Sequence, residues 1–94
     1  MIALTPVLKS SNIDAMAYDA ANHVLAVAFK PAGVVWHYRE VPETVGEMMM
    51  GVLERANEVT ESGMAIYEDD TPSVGRALAE MVKGKYHAEK IVEA

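Results

Sequence analysis

Apolar and polar positions alternate along much of the first half of the chain. Side chains two residues apart share a face of a β-strand. Residues 13–19 read as a first strand. In residues 23–30, Leu25, Val27 and Phe29 fall on one face, and Val24, Ala26, Ala28 and Lys30 on the other. In the next run Val34, Trp36 and Tyr38 alternate with Val35, His37 and Arg39. Turn formers separate the runs: Asp19 to Asn22, then Pro31, Ala32 and Gly33. Connections this short predict an antiparallel meander.

The period then changes. Pro42 cannot donate to a sheet ladder and suits a helix start, so the third strand should stop near Glu40. From Pro42 to about Glu58, Val45, Met48 or Met49, Val52, Leu53 and Ala56 keep helical spacing. Glu43 and Glu47 lie at the end of the helix dipole where acids are favoured. Gly46 and Gly51 each cost about 1 kcal/mol relative to alanine inside a helix, which suggests close approach to the sheet or to another helix. Residues 57–63 read as a loop, 64–67 as a short strand or buried loop, and Glu68, Asp69 and Asp70 as an acidic turn. Thr71 and Pro72 suit the cap and first position of a second helix. Val74, Ala77, Leu78, Met81 and Val82 form its apolar stripe, and Gly84 its C-cap. Residues 86–94 continue as helix or strand. The expected fold is therefore α+β: a three-stranded antiparallel meander packed against two helices, or three if the C-terminal stretch is helical.

Composition narrows the class. Ninety-four residues, 51% of them hydrophobic and 23% charged, fit one globular domain. The absence of cysteine excludes disulfides and thiolate metal sites and favours a cytoplasmic home. The apolar start, MIALTPVL, lacks a basic leader and is interrupted by Pro6, so neither a signal peptide nor a membrane span is expected. A net charge of −6 argues against non-specific nucleic-acid binding, while leaving room for a local basic patch.

The order of motifs in residues 7–48 resembles the KTSC domain, a small module found at the C-terminus of some lysyl-tRNA synthetases and as a stand-alone bacterial or phage protein. The matching pieces are Ser10-Ser11-Asn12-Ile13, Tyr18-Asp19, the Leu25-x-Val27-x-Phe29 strand, Gly33, Trp36-x-Tyr38 in place of Tyr-x-Tyr, and Val41-Pro42-x-x-Val45. The family's later Lys-Gly-x-Tyr-Phe-Asn element is met only by Lys83-Gly84-Lys85-Tyr86-His87, with His87 where Phe is usual and Ala88 where Asn is usual. Residues from about 54 to 82 therefore look like an insertion in a single domain. The resemblance implies a three-stranded sheet with helices on one face, and its synthetase context attaches an expectation of RNA binding.

Candidate chemistry is sparse. Trp36, His37, Tyr38 and Arg39 could form a platform on which bases stack and phosphate pairs; the favoured reading makes Trp36 and Tyr38 core under the helices, since a domain this small has few other large groups to fill it, which leaves His37 and Arg39 facing outward. Lys83, Lys85, His87 and Lys90, around Gly84 and Tyr86, are the basic cluster of an acidic chain. They could hold a phosphate, with backbone N–H groups if a new helix starts at Gly84, or simply complement the end of the preceding helix. The three histidines are too far apart for a metal site, and no nucleophile–base set stands out. Three consecutive methionines, Met48, Met49 and Met50, cannot all face one core, which suggests either a homo-oligomer through that helix or simple core filling with one methionine left exposed. The expected function is a non-enzymatic binding module for a nucleotide, RNA or other phosphate-bearing ligand, without cofactor or metal, through Trp36, His37, Tyr38, Arg39, Lys83, Lys85, Tyr86 and His87. The alternative is a phage-type anti-defence protein that binds a host immune protein or sequesters its cyclic nucleotide signal.

Overall fold

The computed structural model describes residues 3–10, 12–31, 33–62 and 73–91. Its strands are β1 (Thr5–Pro6), β2 (Ile13–Asp19), β3 (Val24–Phe29), β4 (Val34–Tyr38) and β5 (Ala88–Ile91); its helices are α1 (Glu43–Ser62) and α2 (Val74–Met81). The five strands form one sheet in the order β1-β2-β3-β4-β5, each neighbouring pair antiparallel. The α+β class and the central meander agree with the sequence; the count of three strands is corrected to five. The extra strands lie at the edges. β1 has two residues, too few to show alternation, and AEKI in β5 has no strand pattern of its own. Pairing with β4 makes it a strand.

Local chemistry sets the turns. Ser10 Oγ accepts hydrogen bonds from the N–H groups of Asn12 and Ile13, at 3.4 and 3.1 Å, and turns the chain into β2. A register shift between Ile13 and Ala15 then turns Ile13 toward Phe29 and the core. Asp19 closes the β2–β3 turn: its carboxylate accepts from the N–H of Ala21 at 3.1 Å and from Asn22 Nδ2 at 2.8 Å. These bonds, that of the Asn22 side chain foremost, hold its carboxyl below the usual carboxylate range.

Both helices cover the same sheet face. Cross-strand register puts Met16, Val27 and Trp36 in one row and Tyr18, Leu25 and Tyr38 in the next. Onto these rows pack Met49, Leu53 and Ala56 of α1 and Val74 and Leu78 of α2, with Val82 just beyond. The opposite face carries Ala15, Ala17, Ala26, Ala28, Val35 and His37. Tyr18 ties sheet to helix: its hydroxyl donates to Val41 O at 2.6 Å, and its ring lies where a side chain on Gly46 would go. Gly51 has open space around it, so its cost to the helix has no such compensation.

Three boundaries differ from expectation. α1 runs to Ser62 instead of ending near Glu58. Asn57, read as a loop residue, is helical and bonds β1 and the segment that follows it: its Nδ2 donates to Pro6 O at 2.9 Å, and its Oδ1 accepts from Leu8 N–H at 3.0 Å. α2 is capped by Ser73, whose side chain accepts from Arg76 N–H at 3.2 Å; Thr71 and Pro72 lie outside the described residues, as do residues 64–70 with their acidic turn. Finally, no helix starts at Gly84. Residues 82–86 form a turn before β5, Gly84 has φ +80°, and the N–H groups of Lys83, Lys85 and Tyr86 already bond to Leu78 O and Val82 O.

The two glycines of α1 should respond oppositely to alanine. Gly46→Ala should destabilise the fold by about 1–3 kcal/mol, because the new methyl meets the Tyr18 ring. Gly51→Ala should stabilise it by up to about 1 kcal/mol. Denaturant unfolding of the two variants checks both signs.

Candidate ligand-binding site

The helices do not cover their whole sheet face. Beyond the core rows, Phe29 of β3, Trp36 and Tyr38 of β4, Ala88 of β5 and Lys83 of the 82–86 turn line a recess of about 290 Å³. Its floor follows from the alternation already described: Phe29, Trp36 and Tyr38 share one face, and in the β4–β5 register Ala88 stands opposite Tyr38. Tyr38 is buried in the core cluster, and Phe29 and Trp36 are half-buried against it. The two sequence readings of Trp36 and Tyr38, core and platform, therefore meet in one place. Lys83 Nζ sits 5.1 Å from the centre of the Phe29 ring, within cation–π range. Lys90 is opposite Trp36 on the same face.

A second recess, about 360 Å³, opens where the β2–β3 turn meets the end of β4. It is lined by Asn22, Arg39, Glu40 and His87. Glu40 and neighbouring His23 both have positive φ, 56° and 54°, an uncommon state for non-glycine residues. Bonds from Val41 N–H to His23 O (2.9 Å) and from Arg39 N–H to His87 O (2.8 Å) hold the backbone there. Arg39 Nε donates to Glu89 Oε2 at 2.6 Å. Each partner is about half exposed, at 49%, so this ion pair orients the guanidinium more than it stabilises the fold.

The eight residues singled out from sequence thus divide into groups. Trp36, Tyr38 and Lys83 come together in the first recess; Arg39 and His87 come together in the second. His37 is on the opposite sheet face, across from Ala26 and Glu89. Lys85 is exposed in the turn, and Tyr86 packs against the core. Phe29, Ala88, Asn22 and Glu40 were missed. Phe29 was visible as the end of an alternating run on the aromatic face; the others required the fold. Among the described residues no group of three potential metal ligands is found, and no helix is long and apolar enough to cross a membrane.

These features define the class of protein: a small antiparallel sheet with two helices on one face and an aromatic recess at the uncovered end. The KTSC domain family matches residues 9–54. A crystal structure of a KTSC domain protein from Yersinia pestis is similar to the chain, with 28% sequence identity and a TM-score of 0.59, over 96% of this chain and 97% of that one. Over residues 9–54 the chain is thus similar to the KTSC domain, the family that its motifs resemble. No curated protein matches it.

Two tyrosines of the sheet resist ionisation. Tyr18 is raised above its ordinary pKa of 10.0 by desolvation first, then by the carboxylates of Glu43, Glu47 and Asp19; Tyr38 is raised by burial. Both ionise more readily in the unfolded chain, so the unfolded state binds fewer protons at high pH. Stability should therefore hold up to about pH 10, the unfolded value, and fall above it. The fall should be shallower in Tyr38→Phe, as thermal melts from pH 8 to 11 would measure.

Proposed function

We propose that the chain is a non-enzymatic binding module for an aromatic, phosphate-bearing ligand, a nucleotide or a stretch of RNA, held at the recess of Phe29, Trp36, Tyr38 and Lys83. The carrying observation is that recess: three aromatic side chains and a lysine converge at one opening in a chain of net charge −6. Its volume is at the small end of ligand pockets. It suits one base better than a whole nucleotide, so the phosphate sits outside, toward Lys83 and Lys85. Stacking on exposed aromatics contributes about 1–3 kcal/mol per base. Arg39 and His87, in the other recess, are a separate contact for a longer strand, and His37 takes no part. Absence of cysteine supports a cytoplasmic setting for this role.

A thermal-shift screen of mono-, di- and cyclic nucleotides tests the proposal. A ligand at 100 times its Kd adds about 2.7 kcal/mol, and Trp36→Ala and Lys83→Glu should each remove the shift. Short RNA should bind more weakly as salt is added. No shift with any nucleotide and no salt-sensitive RNA binding would overturn the reading.

Assembly is a further part of the proposal. Met49 is fully buried and Met50 packs against the core, but Met48 is 58% exposed. This outcome follows from the 100° step between helix residues, and it supports a homo-oligomer through α1. Sedimentation should give a mass above one chain that falls with Met48→Glu; a monomer at all concentrations removes the idea.

A further inference from the structure

The two edges of the sheet are unlike. β1 is two residues long and ends in Pro6, both features that blunt an edge against further pairing. β5 has no proline, and what guards its four residues is charge, that of Glu89 and Lys90. In its ladder with β4, Arg39 N–H bonds to His87 O, and Val35 and His37 stand opposite Ile91 and Glu89. Hydrogen-bonded pairs alternate in an antiparallel ladder, so His87, Glu89 and Ile91 bond inward to β4. The main-chain N–H and C=O groups of Ala88 and Lys90 point outward, without a partner among the described residues. The side chains of these two residues lie on the recess face, Ala88 in the lining itself and Lys90 opposite Trp36.

A second copy of the chain fits this edge poorly when the pairing centres on Glu89 or Lys90. Two β5 strands paired antiparallel about a twofold axis place residues of the same face opposite each other. The central registers then set Glu89 against the partner's Glu89, or Lys90 against the partner's Lys90, and like charges directly opposite are destabilising. A strand of different sequence meets no such conflict. Its residue opposite Lys90 gains from a carboxylate. Its residue opposite Ala88, two positions on and on the same face, finds a small neighbour and the mouth of an aromatic recess.

We propose that the outer edge of β5 docks an extended segment of another protein, which joins the sheet as a sixth, antiparallel strand. The segment carries an acidic residue opposite Lys90 and, two residues later, an apolar or aromatic residue that enters the recess beside Ala88. Main-chain bonds to Ala88 and Lys90 supply affinity, and the lysine and recess supply specificity, the usual division in strand addition. The proposal goes beyond the nucleotide reading and does not rest on it; a base and a docked side chain would exclude one another from the recess.

Selection of random displayed heptapeptides against the wild-type chain tests it. The expected result is enrichment of acidic–x–aromatic or acidic–x–aliphatic sequences, with slowed hydrogen exchange at the amides of Ala88 and Lys90 in the complex. Lys90→Pro removes an outward N–H that β4 does not use, and a proline is tolerated at such an edge position. It should weaken the selected peptides at least about tenfold, a loss of about 1.4 kcal/mol. Lys90→Glu, which leaves the backbone donor in place, should turn the selected preference from acidic to basic. Absence of any consensus overturns the proposal. So does full-strength binding to Lys90→Pro, or an unchanged acidic preference with Lys90→Glu.

Discussion

The ring of Tyr18 against the backbone of Gly46 is the contact on which the remaining geometry depends. Tyr18 comes from β2, and Gly46 from the first turn of α1. The Tyr18 hydroxyl also bonds to Val41 O, in the link between β4 and α1. One side chain thus fixes how closely the helix lies on the sheet and where the chain leaves β4. With any larger residue at position 46, the ring and helix would have to separate. Met49 and Leu53 would then lift from Met16, Leu25 and Val27, which they help to bury completely. The glycine costs about 1 kcal/mol of helix propensity, a small loss beside the apolar surface that close packing removes from water.

The same placement creates the candidate site. α1 and α2 are anchored over the rows of Met16 and Leu25, which leaves the β4–β5 end of the same face less covered. Tyr38 still belongs to the core, Trp36 and Phe29 border it, and Lys83 reaches over from the turn after α2. One aromatic face therefore serves two purposes, filling the interior at one end and opening to solvent at the other. Charge adds a contrast: the exposed side of α1 carries Glu47, Glu54, Glu58 and Glu61 against one arginine, Arg55, whereas Lys83 lines the recess and Lys90 stands opposite Trp36. An anionic ligand would be turned away from the helix and toward the recess.

Much of this was legible in the sequence because strand alternation is a local signal. The bounds of β2 agree with the reading to the residue, and β3 and β4 agree to within two residues at each end. The KTSC motifs fall in this same part of the chain. Elements made by distant partners were not legible. β5 is a strand because β4 offers it a ladder, and the last turns of α1 are tied by Asn57 to residues about fifty positions earlier. The helix cap moved from Thr71 to Ser73 because several residues in that stretch can accept a hydrogen bond, and only geometry selects among them. The recess illustrates the limit for function. Trp36, Tyr38 and Lys83 could each be suspected from the sequence, but joining them to Phe29 and Ala88 required cross-strand register.

The Tyr18–Gly46 contact can be observed directly. In the nuclear magnetic resonance spectrum of the folded protein, the Gly46 α-protons should be displaced by the ring current of Tyr18. They should show cross-relaxation to its ring protons, and both effects should vanish in Tyr18→Leu. Gly46 α-protons at ordinary positions, with no cross-relaxation to the ring, would mean that helix and sheet meet in some other way.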